Sequence, residues 1–382
     1  MKKTLKKMDK TLLILMIVYT ILGLVMIFSA SSITAVLYNH LSESHYFKKQ
    51  LLVVIVTWLI GIFFFLRFPT KKYKNLAPIG MIGILAALIL LIPYGQITNS
   101  AKSWYNLGFY NFQPSEFFKP TIVVYLGVYF DKIVKRRDFS TIKILFPFIL
   151  IIIGFLFVAL QPDYGTAFII AGIAGVIFLM LPINTKKMKN TKLLCVGAGV
   201  IGLIVMFTMT LNAEQASRMN FKAPCTRYSE KTGYQVCNGM IAISNGGLFG
   251  VGLGNSTQKY LYLPEAHTDF IFPIVCEELG AIVGAIIILG YLVMLIRLLQ
   301  IARKSTSVRG YIIAYGTFAF ILLHLLVNFM GILALIPLTG VPVPFLSYGG
   351  SFYLCLVSLL FVCQRVAIET SENKTKEFIR NI

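Results

Sequence analysis

Apolar runs long enough to cross a bilayer recur along nearly the whole chain, and they constrain its fold more than any motif does. In hydrocarbon every backbone amide and carbonyl must be paired within the protein, so a run of about 20 apolar residues at 1.5 Å rise folds as a transmembrane helix. Ten such runs stand at about 11–31, 51–66, 77–93, 114–130, 144–160, 166–183, 193–211, 270–296, 311–337 and 345–363. Of the 382 residues, 57% are apolar and 13% charged, against roughly 45–50% and about 25% in soluble domains. With a mean hydropathy of +0.78, these values exclude a soluble globular fold, disorder, collagen and a coiled coil. The expected architecture is an all-α integral membrane protein: a single ten-span domain over residues 1–382, with one large extracytoplasmic loop at 212–269 between spans 7 and 8.

The charge pattern supplies an internal check on ten. If the spans alternate, the side that holds both termini carries 26 of the 35 lysines and arginines and only six acidic residues, whereas the other side nets zero. The positive-inside rule then places both termini in the cytoplasm, and a miscount by one span would scramble the segregation. The formal charge of +20 is therefore loop charge and does not point to nucleic acid. Lys2, Lys3, Lys6, Lys7 and Lys10 before an apolar run resemble a signal peptide. A retained first span is expected, because the run exceeds a signal core and its removal would break the even count.

Residues 212–269 form a polar stretch of about 58 residues, and a long loop in a compact bundle is usually functional. Its glycines at 246, 247, 250, 252 and 254 do not fit a nucleotide-binding spacing. They serve either tight turns near the membrane surface or backbone amides facing an anion. Cys225 and Cys237 share this loop, whereas Cys195, Cys276, Cys355 and Cys363 fall in apolar spans. A structural disulfide between the loop pair is expected in an oxidising compartment.

The four histidines, His40, His45, His267 and His324, offer no metal triad or Ser/His/Asp set. Carboxylates remain: Glu116, Asp163, Glu265, Asp269, Glu277 and Glu278 all lie at or near the outer ends of spans, where an ionisable group is costly. Glu116 and Lys119 have the spacing of a helical ion pair. Asp163, between Pro162 and Gly165, fits a turn that starts a helix. Glu277 and Glu278 could cap or pair within the bundle. Asp269 stands where the glycine-rich loop meets the eighth span, so it either caps that helix or serves as a general base for a lipid-linked substrate.

The strings KSWYNLGFYNFQPSEFFKP, QPDYGTAFI, GYQVCNGMIAISNGGLFGVGLGNSTQKYLYLPEAHTDFIF followed by CEELG, and IPLTGVPVPFLSYGGS resemble the SEDS family (shape, elongation, division and sporulation) over essentially the whole chain. GLGNSTQKYLYLPEAHTDF is closer to the division and sporulation branch, typified by FtsW and SpoVE, than to the elongation branch typified by RodA. Ser103 stands where the family often has Arg, Gly239 where Ser is frequent, and the Cys225/Cys237 pair is absent from many members. The resemblance implies a peptidoglycan glycosyltransferase in the cytoplasmic membrane that polymerises lipid II, the undecaprenyl-diphosphate-linked disaccharide peptide, at the outer face. Its implied partners are a class B penicillin-binding protein transpeptidase and other division-complex membrane proteins.

Carried over by motif, the family's essential aspartate falls on Asp269, its outer-loop tryptophan on Trp104 and its salt bridge on Glu116 and Lys119. Lys102, Arg218, Gln235, Lys259 and Ser347 lie in matching motifs as substrate-binding candidates. The family's inverting transfer needs a base for the acceptor hydroxyl and positive charge for the departing diphosphate. Asp269 is the expected base, with Lys102, Arg218 and Lys259, or a divalent cation such as Mg or Mn, as counter-charge. A flippase for the lipid-linked precursor is the alternative. The scarcity of charges deep in the spans and the lack of a repeat relating the two halves favour surface chemistry.

Overall fold

A computed structural model describes residues 6–98, 101–108, 111–137, 139–183, 188–195, 197, 199, 221–260 and 262–380. The described chain is almost wholly helical. Helices α1 (Lys10–Ile33), α2 (His45–Ile60) and α3 (Tyr73–Tyr94) lead into a small antiparallel sheet of β1 (Gln96–Thr98), β2 (Ala101–Asn106) and β3 (Asn111–Phe112). Then follow α4 (Pro114–Arg136), α5 (Thr141–Leu160), α6 (Tyr164–Leu179), α7 (Lys231–Gly246), α8 (Ile271–Lys304), α9 (Val308–Ile332) and α10 (Gly350–Arg380).

Seven of these, α1, α2, α3, α5, α8, α9 and α10, are long and apolar enough to cross a membrane, α2 because a π-helical stretch (Gly61–Phe65) carries it on to 21 residues. Helix α4 has the length but carries Glu116, Lys119, Asp131, Lys132, Lys135 and Arg136, and α6 has only 16 residues. The expected span at 193–211 lies mostly outside the described residues.

Helix boundaries follow local chemistry. Asp9 Oδ1 accepts from Leu12 N at 2.9 Å to start α1, and Ser307 Oγ accepts from Gly310 N at 3.1 Å to start α9, each satisfying an orphan first-turn amide. Pro114 opens α4, where its missing N–H costs nothing. Helices α9 and α10 form the centre, 72% and 83% buried across their most apolar stretches, against 22% for α2. The outer helices turn apolar side chains such as Ile14, Ile82, Ile142 and Ile286 outward, as lipid-facing helices do.

The start of α1 is joined to α8 and α10. The Arg297 guanidinium contacts Asp9 Oδ2 at 2.5 Å, Asp9 N donates to Gln364 Oε1 at 2.9 Å, and Gln364 Nε2 donates back to Asp9 O at 3.0 Å.

Two features go beyond what the sequence indicates. Within the polar 212–269 stretch runs α7, with an apolar face that buries Val236, Cys237 and Ala242. The eighth span, expected at about 270–296, is interrupted at Gly280, whose φ of 86° and ψ of 163° leave the helical region. Only a residue without Cβ fits there: a methyl at Gly280 would lie 2.3 Å from the Leu248 carbonyl oxygen.

Candidate active site

Asp269 immediately precedes α8 in a loop held at three successive carbonyls. Tyr348 N donates to His267 O at 2.9 Å, Ser347 Oγ to Thr268 O at 2.5 Å, and Asn328 Nδ2 to Asp269 O at 2.7 Å. Ser347 is itself fixed, since its Oγ accepts from Val343 N at 2.8 Å, and Asn328 Nδ2 also reaches Val341 O at 2.7 Å. Glu265, at φ 56°, turns the chain into this loop, and its carbonyl accepts from Thr268 N and Phe270 N. The backbone under Asp269 is therefore clamped by α9 and by the Leu338–Gly349 segment. Its carboxylate is mostly buried, takes a hydrogen bond from Thr268 Oγ1 at 3.1 Å and faces Gly340.

Around it, His267 packs between Tyr46 and Tyr348, with ring centroids 4.7 and 5.7 Å away. Burial pushes the His267 imidazole below its usual range, against a weaker opposing pull from Glu265. His267 Nδ1 and Asn328 Oδ1 are buried and have no hydrogen-bond partner among the described residues.

A second polar cluster lies between α4, α6 and α9. Lys119 Nζ donates to Glu116 Oε1 at 2.8 Å and to His324 Nε2 at 2.9 Å, while His324 Nδ1 donates to Phe320 O at 2.6 Å. The Phe320 carbonyl can only accept, so Nδ1 carries the proton and Nε2 is free to receive the ammonium. Lys119 also lies 5.5 and 5.7 Å from the Phe320 and Phe352 ring centroids. Asp163 Oδ1 accepts from Thr166 N at 3.2 Å, and Gln113 Nε2 reaches Asp163 Oδ2 at 3.4 Å. The following turn touches the segment beside Asp269, because a methyl at Gly165 would lie 2.8 Å from Thr339 Cβ.

The two adjacent glutamates of α8 do different work. Glu277 accepts from Ser256 Oγ, from Thr257 Oγ1 at 2.9 Å and from Thr257 N at 3.2 Å. Glu278 pairs with Lys259 Nζ at 2.9 Å and accepts from Ser29 Oγ at 2.7 Å. Both side chains are buried, and together they tie residues 256–259 to the first turns of α8. Of the glycines, those at 247, 250, 252 and 254 adopt positive φ. The amides of Val251 and Gly252 donate to the Glu277 and Glu278 carbonyls at 2.9 and 3.0 Å. These glycines thus form tight turns, and these two amides are committed to the protein and not to an anion.

The substrate-binding candidates separate. Ser347 and Gln235 act on backbone, Gln235 Nε2 donating to Pro264 O at 3.3 Å. Lys259, expected as a counter-charge for diphosphate, has its ammonium buried on Glu278, Ser29 and the Gly254 carbonyl. Trp104 is half-buried on β2, paired with Gln96. Lys102 lies on the same strand, its side chain outside the described part, and Arg218 lies outside the described residues. A disulfide joins Cys225 and Cys237, fastening the Pro224–Arg227 turn to α7. Among the described residues no group of three or more His, Cys, Asp or Glu side chains is placed to hold a metal ion.

The sequence reading does not single out Asn328, and it assigns His324 no role. Both are polar residues in an apolar span and four apart on one helix face, a pattern that marks an internal site.

The chain is 35% identical to the "Probable peptidoglycan glycosyltransferase FtsW" of Bacillus subtilis (strain 168), over 99% of this chain and 95% of that one. It is 31% identical to the "Stage V sporulation protein E" of the same organism, over 91% and 94%. One solved structure, described as "Structural coordination of polymerization and crosslinking by a peptidoglycan synthase complex", superposes with a TM-score of 0.74 at 22% identity, covering 95% of this chain and 98% of that one. The Thermus thermophilus rod shape determining protein RodA superposes at 0.67, with 21% identity and coverage of 94% and 96%. Residues 9–372 match the model of the cell cycle protein family of FtsW, RodA and SpoVE, and the chain belongs to that family.

Proposed function

We propose that this protein is a peptidoglycan glycosyltransferase that polymerises lipid II at the outer face of the cytoplasmic membrane, for wall synthesis in cell division. The observation that carries the assignment to a site is the clamped backbone beneath Asp269, which holds one carboxylate still at the outer mouth of an apolar bundle. In this reading the chain has ten spans, adding α4, α6 and the 193–211 run to the seven, with both termini cytoplasmic and residues 212–269 outside.

The reaction is an inverting displacement. The acceptor 4-hydroxyl attacks C1 of the donor sugar, Asp269 takes its proton, and the C1–oxygen bond breaks with its electron pair going to the diphosphate. Lys102 and Arg218 supply positive charge for that diphosphate, and Trp104 offers a half-exposed ring to the sugars. His267 Nδ1 and Asn328 Oδ1 are the polar atoms nearest Asp269 in sequence or bonding with capacity to spare for a substrate group. Lys259, Gln235, Ser347, Glu277 and Glu278 position the loop, and Glu116, Lys119 and Asp163 brace the helices behind it. The partner is a class B penicillin-binding protein that crosslinks the strands, at the septum with other division proteins.

The test is polymerisation of purified lipid II by wild type and Asp269→Asn, with and without the class B partner, read as glycan chains on a gel. A general base contributes about 10²–10⁴-fold, so the variant should lose chains while remaining monodisperse. Equal chains from both proteins would move the base elsewhere, and none from either would remove the polymerase reading.

A further inference from the structure

From Thr232 to Gln258 no residue is charged, an unusual composition for a segment between spans. Within it Leu248, Phe249, Val251 and Leu253 expose their side chains, Phe249 by 82%. These residues are not on a free tip, because their backbone is joined to the break in α8. Ala281 N and Ile282 N donate to Gly247 O and Leu248 O at 2.9 and 3.3 Å, and Val251 N and Gly252 N donate to the carbonyls of Glu277 and Glu278. The glycines make the approach possible, since a methyl at Gly250 would lie 2.3 Å from Glu278 O.

This attachment fixes the depth of the turn. The apolar arm of α8 from Ala281 to Ile296 is about 24 Å long at 1.5 Å per residue, most of the roughly 30 Å of a hydrocarbon core. Arg297, Arg303 and Lys304 follow it at the cytoplasmic end, so Ala281 and Ile282 lie in the outer leaflet, close to the outer edge of the hydrocarbon. Below them Ile282, Ile286, Leu289, Val293 and Ile296 are all exposed, at the spacing of one helix face. That face is apolar throughout and is left uncovered by the described residues, as a lipid-facing surface is. The Leu248–Leu253 turn lies at its upper end and continues it.

We infer that Leu248, Phe249, Val251 and Leu253 form a wedge seated in the outer leaflet at the boundary between headgroups and acyl chains. Its ligand is the lipid surface itself. The wedge is rigidly connected to the proposed site: the chain runs from it into residues 256–259, which Glu277 and Glu278 bind, and on to Asp269. Seating the wedge sets the height of the Asp269 carboxylate over the bilayer, at the level where a lipid-linked diphosphate lies. This rests on the extracytoplasmic placement of the loop proposed above.

The test is Phe249→Trp in proteoliposomes, reading the fluorescence that the new indole adds to that of Trp58 and Trp104. Lipids brominated near the carbonyl end of the acyl chain should quench it more strongly than lipids brominated near the methyl end, and aqueous iodide should leave it bright. Quenching by iodide with none by brominated lipid overturns the inference. So does quenching by lipid that disappears when the class B partner is co-reconstituted, which would make the face a protein contact. If Phe249→Trp does not elute as a monodisperse species, Val251→Trp gives the same reading. No substrate enters this measurement, so its failure is separable from failure of the polymerase assay.

Discussion

Asn328 on α9 donates one amide to the backbone carbonyl of Asp269, at 2.7 Å, and the same nitrogen reaches the carbonyl of Val341 at 2.7 Å. A single buried side chain thus couples the loop before α8 to the segment before α10. Asn328→Leu removes the donor and leaves two acceptors unmatched, at a cost of about 1–3 kcal/mol for each buried group. Because displacement by an ångström can cost on the order of 10²-fold in rate, kcat should fall by about that factor with KM for lipid II nearly unchanged. A proportional rise in KM would place Asn328 on the substrate instead.

Lys259 and Glu278 make a buried ion pair at 2.9 Å. Removing one partner of such a pair typically costs about 3–5 kcal/mol, because the other charge is left buried. Lys259→Met should therefore lower the thermal midpoint strongly, and adding Glu278→Gln should restore much of it. If Lys259 serves only to hold the loop, the double variant should also recover polymerisation. A stable but inactive double variant would return Lys259 to the diphosphate.

His267 gives the protein a pH-dependent component of stability. Its folded value lies below the ordinary imidazole range because of burial, so between the folded and unfolded values the unfolded state binds more protons. Stability should be flat above about pH 6.5 and fall as the pH drops below it. The thermal midpoint of wild type, followed from pH 7.5 downward, should show this fall, and His267→Gln should flatten it.

The Cys225–Cys237 disulfide closes a short loop over the start of α7. Replacing both cysteines by serine should destabilise the protein by about 2–4 kcal/mol, seen as a lower midpoint in detergent. The effect should be matched by reductant on wild type and absent when reductant is added to the variant.

Much of the architecture could be read from the chain because membrane physics is simple. Lipid leaves an apolar run of about 20 residues little choice but a helix, and α1, α2, α3, α5, α8, α9 and α10 follow such runs. The spacing of Glu116 and Lys119 was also informative, since three residues on a helix bring side chains together. The rest depended on contacts between distant segments. Nothing local distinguishes Gly280 from the other glycines of the spans; its need for a missing Cβ comes from the Leu248 carbonyl packed against it, a contact made only by folding. Likewise Lys259 looks like a free cation in sequence, because Ser29, 230 residues away, and Glu278 are brought to it only by folding.

The clasp of Asp9 with Gln364 and Arg297 also bears on how this protein is made. Its two reciprocal backbone bonds link residues 355 apart, so α1 cannot complete its contacts until α10 has been synthesised. At about 5–20 residues per second this interval is tens of seconds. During it the Asp9 backbone lacks its Gln364 clasp and α1 keeps an unpacked face. Chains truncated before α10 should therefore persist as targets for membrane quality control, however intact the Asp269 loop they carry.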